Sequence, residues 1–100
     1  MIILMGNIQV DPRDVTEFTV DVAAISTITK SEPGCAFYAI ALEDAPSGRF
    51  VMVERWQDAN ALATHLETEA TKAFLSKWMD RMDIDAEQFE VTNAGALLGD

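Results

Sequence analysis

The sequence predicts an α+β protein with the ferredoxin-like, split β-α-β-β-α-β order, in which helices cover one face of a four-stranded antiparallel sheet. Segments whose apolar residues recur every three or four positions, as in helices, alternate with segments rich in apolar and β-branched residues, as in strands. The turn-rich stretch DAPSG joins two of the strand segments, which indicates a hairpin. A chain of 100 residues is long enough for one hydrophobic core, so we expect a single domain over residues 1–100.

Residues that start and stop helices mark the boundaries of the elements. Asp11 and Pro12 supply an N-cap and a first-turn proline for the first helix, and Pro33-Gly34 ends it. Asp58 caps the helix that follows the hairpin. The expected elements are a strand at 2–10, a helix at 12–30, strands at 35–43 and 50–57, helices at 59–67 and 71–82, and a last strand at 87–98, EQFEVTNAGALL.

Composition and charge exclude several classes of partner. The chain is 49% hydrophobic and 24% charged, which is typical of a folded globular protein. Its formal net charge of −10 repels phosphate backbones and anionic lipid head groups, so we expect neither nucleic acid nor a membrane as a partner. Cys35 is the only cysteine, which excludes an internal disulfide and a metal–thiolate cluster, and no metal site is expected.

The N-terminal apolar run MIIL has no basic flank and is too short for a signal peptide or a membrane span. Cytoplasmic residence is therefore the expectation.

The second strand of the hairpin is apolar on both faces. Val51 and Val53 lie on one face, and Phe50, Met52 and Trp56 lie on the other. Helices can cover only one of the two faces, and an uncovered apolar sheet normally packs against another copy. We therefore expect a homodimer whose sheets face each other through Val51, Val53 and the matching face of the preceding strand.

The helix-facing side of the sheet is expected to carry a small-molecule pocket. If Tyr38 pairs with Glu54, both side chains point toward the helices together with Phe50, Met52 and Trp56. His65 lies on the flank of the following helix, and Asn7 joins the pocket if Met5 faces the helices. An apolar, aromatic wall with a few polar groups is how small-molecule pockets are built.

Several of these residues resemble those of a known family. The N-terminal strand with Asn7, the stretch EPGC at 32–35 followed by a tyrosine, the ERW at 54–56 and the helix His65 together resemble the antibiotic biosynthesis monooxygenase (ABM) family of dimeric α+β barrels. The resemblance implies a small dimer. It also implies a monooxygenase that oxidises a phenol, anthrone or quinol with molecular oxygen and no cofactor, with Asn7 and Trp56 positioning the substrate.

The chemistry implied by this resemblance needs few side chains. A deprotonated electron-rich phenol can itself reduce oxygen, so the protein must bind it, accept its proton and stabilise the anion. Histidine is the side chain whose usual pKa suits a base near neutral pH, so His65 is the candidate base. Tyr38 or Asn7 could donate a hydrogen bond to the oxyanion. The candidate catalytic residues are Asn7, Trp56 and His65, and the candidate substrate-binding residues are Tyr38, Phe50, Met52, Phe74 and Trp78.

Each assignment has an alternative. Trp56 could be core filling, Asn7 a strand-end residue, His65 a helix-flank residue, and Phe74 with Trp78 helix packing. Glu54 is interpreted as structural, fixing the strand or the dimer contact, because an inward carboxylate must be paired or hydrogen-bonded.

The function also has alternatives. A non-catalytic small-molecule-binding or stress-response dimer of the same fold would show the same pattern. The third alternative is haem degradation, which needs an axial ligand for iron. The resemblance implies that this ligand is a histidine near positions 74–76. In this sequence these positions are Phe74, Leu75 and Ser76, and none of them is a histidine.

Overall fold

The predicted fold class is confirmed by a computed structural model that describes residues 1–99. Its elements are β1 (Ile2–Val10), α1 (Val15–Thr29), β2 (Cys35–Asp44), β3 (Arg49–Trp56), α2 (Ala59–Leu66), α3 (Glu69–Trp78) and β4 (Met82–Glu90). The strands form one antiparallel sheet in the order β2-β3-β1-β4, and the helices pack on one face of it. No helix within residues 1–99 combines the length and the apolar character needed to cross a membrane.

Three elements differ from the sequence prediction by two or more residues at one or both ends. The residues Pro12–Asp14 form a 3₁₀ turn, capped by the Asp11 carboxylate at 3.0 Å from the Arg13 backbone nitrogen, so α1 begins only at Val15. The third helix covers Glu69–Trp78 instead of 71–82. The last strand covers Met82–Glu90 instead of 87–98, because Met82, Ile84 and Ala86 alternate with acidic residues and pair along the free edge of β1.

The side chains of β3 alternate as predicted. Phe50, Met52, Glu54 and Trp56 are buried on the helix-facing side, whereas Val51 on the outer side is 40% exposed. Tyr38 on β2 pairs with Glu54, which confirms the predicted hairpin register.

Three aromatic side chains hold α1 and α3 against the sheet. The ring of Phe18 on α1 makes edge-to-face contacts with Phe50 on β3 and with Trp78 on α3, both at 4.8 Å between ring centroids. All three side chains are fully buried, and aromatic pairs in this geometry stabilise a core by about 1 kcal/mol beyond the burial of their area. This cluster is the main core, and it lies beside the cavity described below.

Ion pairs on the surface join the same two helices. The Glu17 carboxylate on α1 accepts hydrogen bonds from Arg81 at 2.7 Å and lies 3.0 Å from the Lys77 ammonium. These two cations lower the pKa of Glu17 to about 2. Lys77 also pairs with Asp21 on the next turn of α1.

Candidate functional site

A cavity of about 340 Å³ lies between the helix-facing side of the sheet and the helices. Its volume is near the lower end of the range for small-molecule sites, which runs from about 300 to 1,000 Å³. Its apolar lining residues are Leu4, Ile8, Ile25, Ile40, Met52, Leu62, Leu66, Phe74, Leu75, Met82, Ile84 and Ala86. Its polar lining residues are Tyr38, Glu54, His65, Thr71, Glu87 and Gln88.

The most deeply buried carboxylate of the cavity belongs to Glu54. Its side chain is 6% exposed, and its Oε1 accepts a hydrogen bond of 2.9 Å from the indole Nε1 of Trp56. Burial raises the pKa of the Glu54 carboxyl and the charge of Glu32 adds to the rise, while the Trp56 N–H and His65 oppose it. Burial therefore favours the neutral form of this group more than water does.

A second carboxylate, Glu32, holds the His65 ring. Glu32 Oε1 lies 2.7 Å from His65 Nδ1, and the Thr71 hydroxyl lies 3.3 Å from the same nitrogen. An ionised carboxylate can only accept a hydrogen bond, so we assign the proton of the neutral ring to Nδ1. Nε2 is then the free ring nitrogen and can accept a proton from a ligand.

The turn between α1 and β2 brings Glu32 to the site. Gly34 has a φ of +83°, and a Cβ at this position would lie 2.5 Å from the Cβ of Ala61 on α2. Glycine is therefore needed both for the backbone conformation and for the close approach of α2. The Gly34 carbonyl accepts a hydrogen bond of 2.8 Å from the Gln57 amide, which ties the turn to the end of β3.

Tyr38 faces Glu54 across the β2–β3 pair. Burial raises the pKa of the Tyr38 phenol, and the negative charge of Glu54 adds to the rise. The hydroxyl therefore stays protonated over the working range of most enzymes and can donate a hydrogen bond to a ligand.

The structure brings most of the predicted pocket residues together. Tyr38, Met52, Glu54, His65 and Phe74 all line the cavity. Phe50 and Trp78 do not line it, because both are packed around Phe18 in the aromatic core, where the Trp78 indole donates to Asp21.

Trp56 lies behind the cavity wall. It is fully buried, its ring packs against His65 with 4.6 Å between centroids, and its N–H is used by Glu54. It can therefore influence a ligand by fixing those two side chains, which do line the cavity.

Asn7 lies on the opposite face of the sheet from the cavity. Its amide donates hydrogen bonds to Glu43 Oε2 at 3.0 Å and to the Phe50 carbonyl at 3.2 Å. Met5, on the same side of β1, is 49% exposed, so the condition under which Asn7 would face the helices is not met. The expectation that Asn7 belongs to the pocket within one chain was wrong.

Sequence reasoning missed two side chains that contact His65. Glu32 was noted only as part of the EPGC stretch, and Thr71 only as the start of a helix. No local sequence pattern identifies Glu32 as the partner of His65, because the two residues are 33 positions apart in the chain. Within residues 1–99, no three histidine, cysteine, aspartate or glutamate side chains are grouped to hold one metal ion.

The fold defines a small α+β domain of the ferredoxin-like class with a cavity between its sheet and its helices. The chain belongs to the antibiotic biosynthesis monooxygenase (ABM) family, whose profile matches residues 1–77. The resemblance seen in the sequence is thereby confirmed.

Two proteins of related sequence extend this comparison. The Bacillus subtilis (strain 168) protein named "Putative monooxygenase YcnE" is 31% identical over 77 residues, which cover 77% of this chain and 81% of that protein. "Uncharacterized protein sll1783" of Synechocystis is 30% identical over 86 residues, 86% of this chain. The matched segment spans only 58% of that second protein's length.

Solved structures show the same fold. A crystal structure of a "putative antibiotic biosynthesis monooxygenase" from Deinococcus radiodurans superposes with a TM-score of 0.85 at 21% identity, covering 99% of this chain and 100% of that one. A protein of the same description from Caulobacter crescentus superposes with a TM-score of 0.81 at 22% identity, covering 92% of this chain and 90% of that one.

Proposed function

We propose that this protein is a cofactor-independent monooxygenase that oxidises a small aromatic phenol, anthrone or quinol with molecular oxygen. Membership of the ABM family and the similarity to a protein named as a monooxygenase support oxygen chemistry. The observation that carries the proposal is His65, which lines a largely apolar cavity and whose Nδ1 lies 2.7 Å from Glu32 Oε1.

The reaction draws all its electrons from the substrate. The base removes a proton, and the resulting anion passes one electron to oxygen, which gives a substrate radical and superoxide. The two radicals join through a new carbon–oxygen bond to form a peroxide. The base returns its proton to the peroxide anion, and loss of water from the peroxide leaves a carbonyl. For an anthrone, a CH₂ group and O₂ thus become C=O and H₂O; for a phenol, the hydrogens of one ring C–H and of the O–H are lost and a quinone and H₂O form.

Three side chains have separate roles in this reaction. His65 Nε2 accepts the substrate proton, while the Nδ1–H bond to Glu32 stabilises the imidazolium that forms. The Tyr38 hydroxyl donates a hydrogen bond to the developing oxyanion. Trp56 acts as a positioning residue through its contacts with Glu54 and His65.

Oxygen consumption by the purified protein tests the proposal. The protein is incubated aerobically with a panel of phenols, anthrones and quinols, and we expect uptake that His65→Ala reduces and Thr64→Ala leaves unchanged. Thr64 is the matched control because it is the exposed neighbour of His65 on α2. No uptake by the wild type with any compound would contradict the proposal and favour a non-catalytic small-molecule-binding dimer of this fold.

We propose further that two copies pair through the outer face of the sheet. Large apolar side chains from all four strands are exposed there: Met5 on β1 (49%), Phe37 on β2 (47%), Val51 on β3 (40%) and Phe89 on β4 (40%). Large apolar side chains exposed on every strand of one sheet face are unfavourable in water and are typical of an interface.

A further inference from the structure

Among the described residues, the polar side chains of the cavity include no fixed positive charge. Glu54 is acidic, Tyr38, Thr71 and Gln88 are neutral, and no lysine or arginine of residues 1–99 lines the wall. Glu87 pairs with Met5, so its side chain points to the outer face of the sheet. An anionic ligand would therefore find no fixed positive charge in the cavity, apart from any proton taken up by His65.

Glu54 has no cationic partner in the described part of the chain. Its neighbour Arg55 points to the other face of the sheet, where its guanidinium lies 5.7 Å from the centre of the Phe37 ring. The Trp56 indole uses Oε1 of Glu54, which leaves Oε2 as the oxygen available to a ligand.

Glu32 adds negative charge from behind His65. Its Oε1 is used by the imidazole, whereas its Oε2 is buried without a hydrogen-bond partner within residues 1–99. Glu32 behind His65 and Glu54 at the cavity wall both repel a further anion, and this repulsion is strong where water is excluded.

From this arrangement we propose that Glu54 makes the cavity selective for charge: it accepts uncharged hydroxy-aromatic compounds and it rejects aromatic carboxylates. A ligand carboxylate beside Glu54 would force one of the two groups to take up a proton. The inference rests on the proposed function only in assuming that the ligand is a small aromatic compound.

Anaerobic binding measurements test this selectivity. The probes are a hydroxynaphthoic acid with its two substituents on opposite rings and the methyl ester of the same acid, so that the ring and the phenol are shared and the charge differs. Isothermal titration calorimetry at neutral pH should show the ester binding at least about 10-fold more tightly than the acid. Glu54→Gln, which keeps an oxygen for the Trp56 N–H, should reduce this ratio by about 10-fold.

Glu90→Gln is the matched control, because it removes the same charge from an exposed position that does not line the cavity. It should leave the ratio of the two affinities unchanged. Equal binding of acid and ester by the wild type, no binding of either, or equal shifts in the two variants would overturn the inference. The wild-type ratio alone tests it if Glu54→Gln fails to fold.

The result is separable from the test of the proposed function. Selective binding without oxygen uptake would overturn the oxygenase proposal and leave the charge selectivity standing. Oxygen uptake without selective binding would support the oxygenase proposal and overturn the charge selectivity.

Discussion

The indole N–H of Trp56 donates a hydrogen bond of 2.9 Å to Glu54, and both side chains are buried. A strand therefore supplies both the buried carboxylate of the cavity and, two residues later, the donor that holds it. Because residues two apart share a face of a strand, this pair needs no other element to form.

Replacing Trp56 with phenylalanine tests the pair. Trp56→Phe keeps an aromatic ring but leaves Glu54 without its donor, so we expect a loss of about 1 to 3 kcal/mol in the free energy of unfolding and a lower rate of oxygen uptake. Urea denaturation and oxygen consumption measure the two effects. Trp78→Phe is the matched control, since it also loses an indole hydrogen bond, to Asp21, but lies outside the cavity. Equal losses of turnover in both variants would contradict the positioning role of Trp56.

Glu54→Gln should change how stability depends on pH. Burial raises the pKa of this carboxyl above its usual value of 4.5, so the folded state binds the proton more tightly than the unfolded state. Its contribution to stability is therefore most favourable in acid and is lost as the pH rises from near 4.5 through the folded-state pKa.

Glu54→Gln should therefore be more stable than the wild type at pH values above the folded-state pKa of Glu54. This difference should disappear at pH values below the usual pKa of 4.5. Urea denaturation across this pH range is the measurement. Glu90→Gln, at an exposed carboxyl, serves as the control. Stability curves for wild type and Glu54→Gln that run parallel with pH would show that Glu54 does not titrate abnormally.

His65→Ala should lower turnover in a pH-dependent way. Removing a general base typically costs about 10²- to 10⁴-fold in rate. We expect the largest loss below the pKa of the substrate's phenol, because above it the phenol ionises without help. The measurement is a pH–rate profile of wild type and variant on a phenol that supports oxygen uptake. Superimposable profiles would reduce His65 to a packing residue.

Val53→Asp should disrupt the proposed dimer. The substitution would bury an unpaired carboxylate between two sheets, which costs several kcal/mol. Size-exclusion chromatography with light scattering should then show monomer or aggregate. Val20→Asp makes the same change on α1 at a side chain that is 64% exposed, and it should leave the dimer intact. A stable Val53→Asp dimer would exclude the sheet-to-sheet arrangement.

The parts of the fold that depend on local patterns could be predicted from the sequence. Alternation along β3 predicted which side chains face the helices, and the hairpin register followed because its two strands are adjacent in the chain. Asp58 was a reliable cap, and its carboxylate accepts the Ala61 amide at 2.8 Å.

The misassigned parts depend on contacts between distant segments. The limits of β4 are set by pairing with β1, where Ile2 meets Glu90, and no local pattern encodes that partner. The orientation of Asn7 was predicted from the side of the sheet that Met5 would face. Ile8 and Val10 are more deeply buried than Met5, and they show which side of β1 faces the helices. Glu32 meets His65 across 33 residues of chain, so their contact appears only in the folded structure.

The exposure of β4 has a consequence for amide exchange. Only Met82 of its residues is buried, and its sole neighbour in the sheet is β1. Elements with few buried apolar contacts open at a lower free energy than the rest of a protein. Backbone amides of β4 should therefore exchange with deuterium faster than those of β1 and β3 in the monomer. Since Met82, Ile84 and Ala86 also form one wall of the cavity, this wall should open more readily than the others.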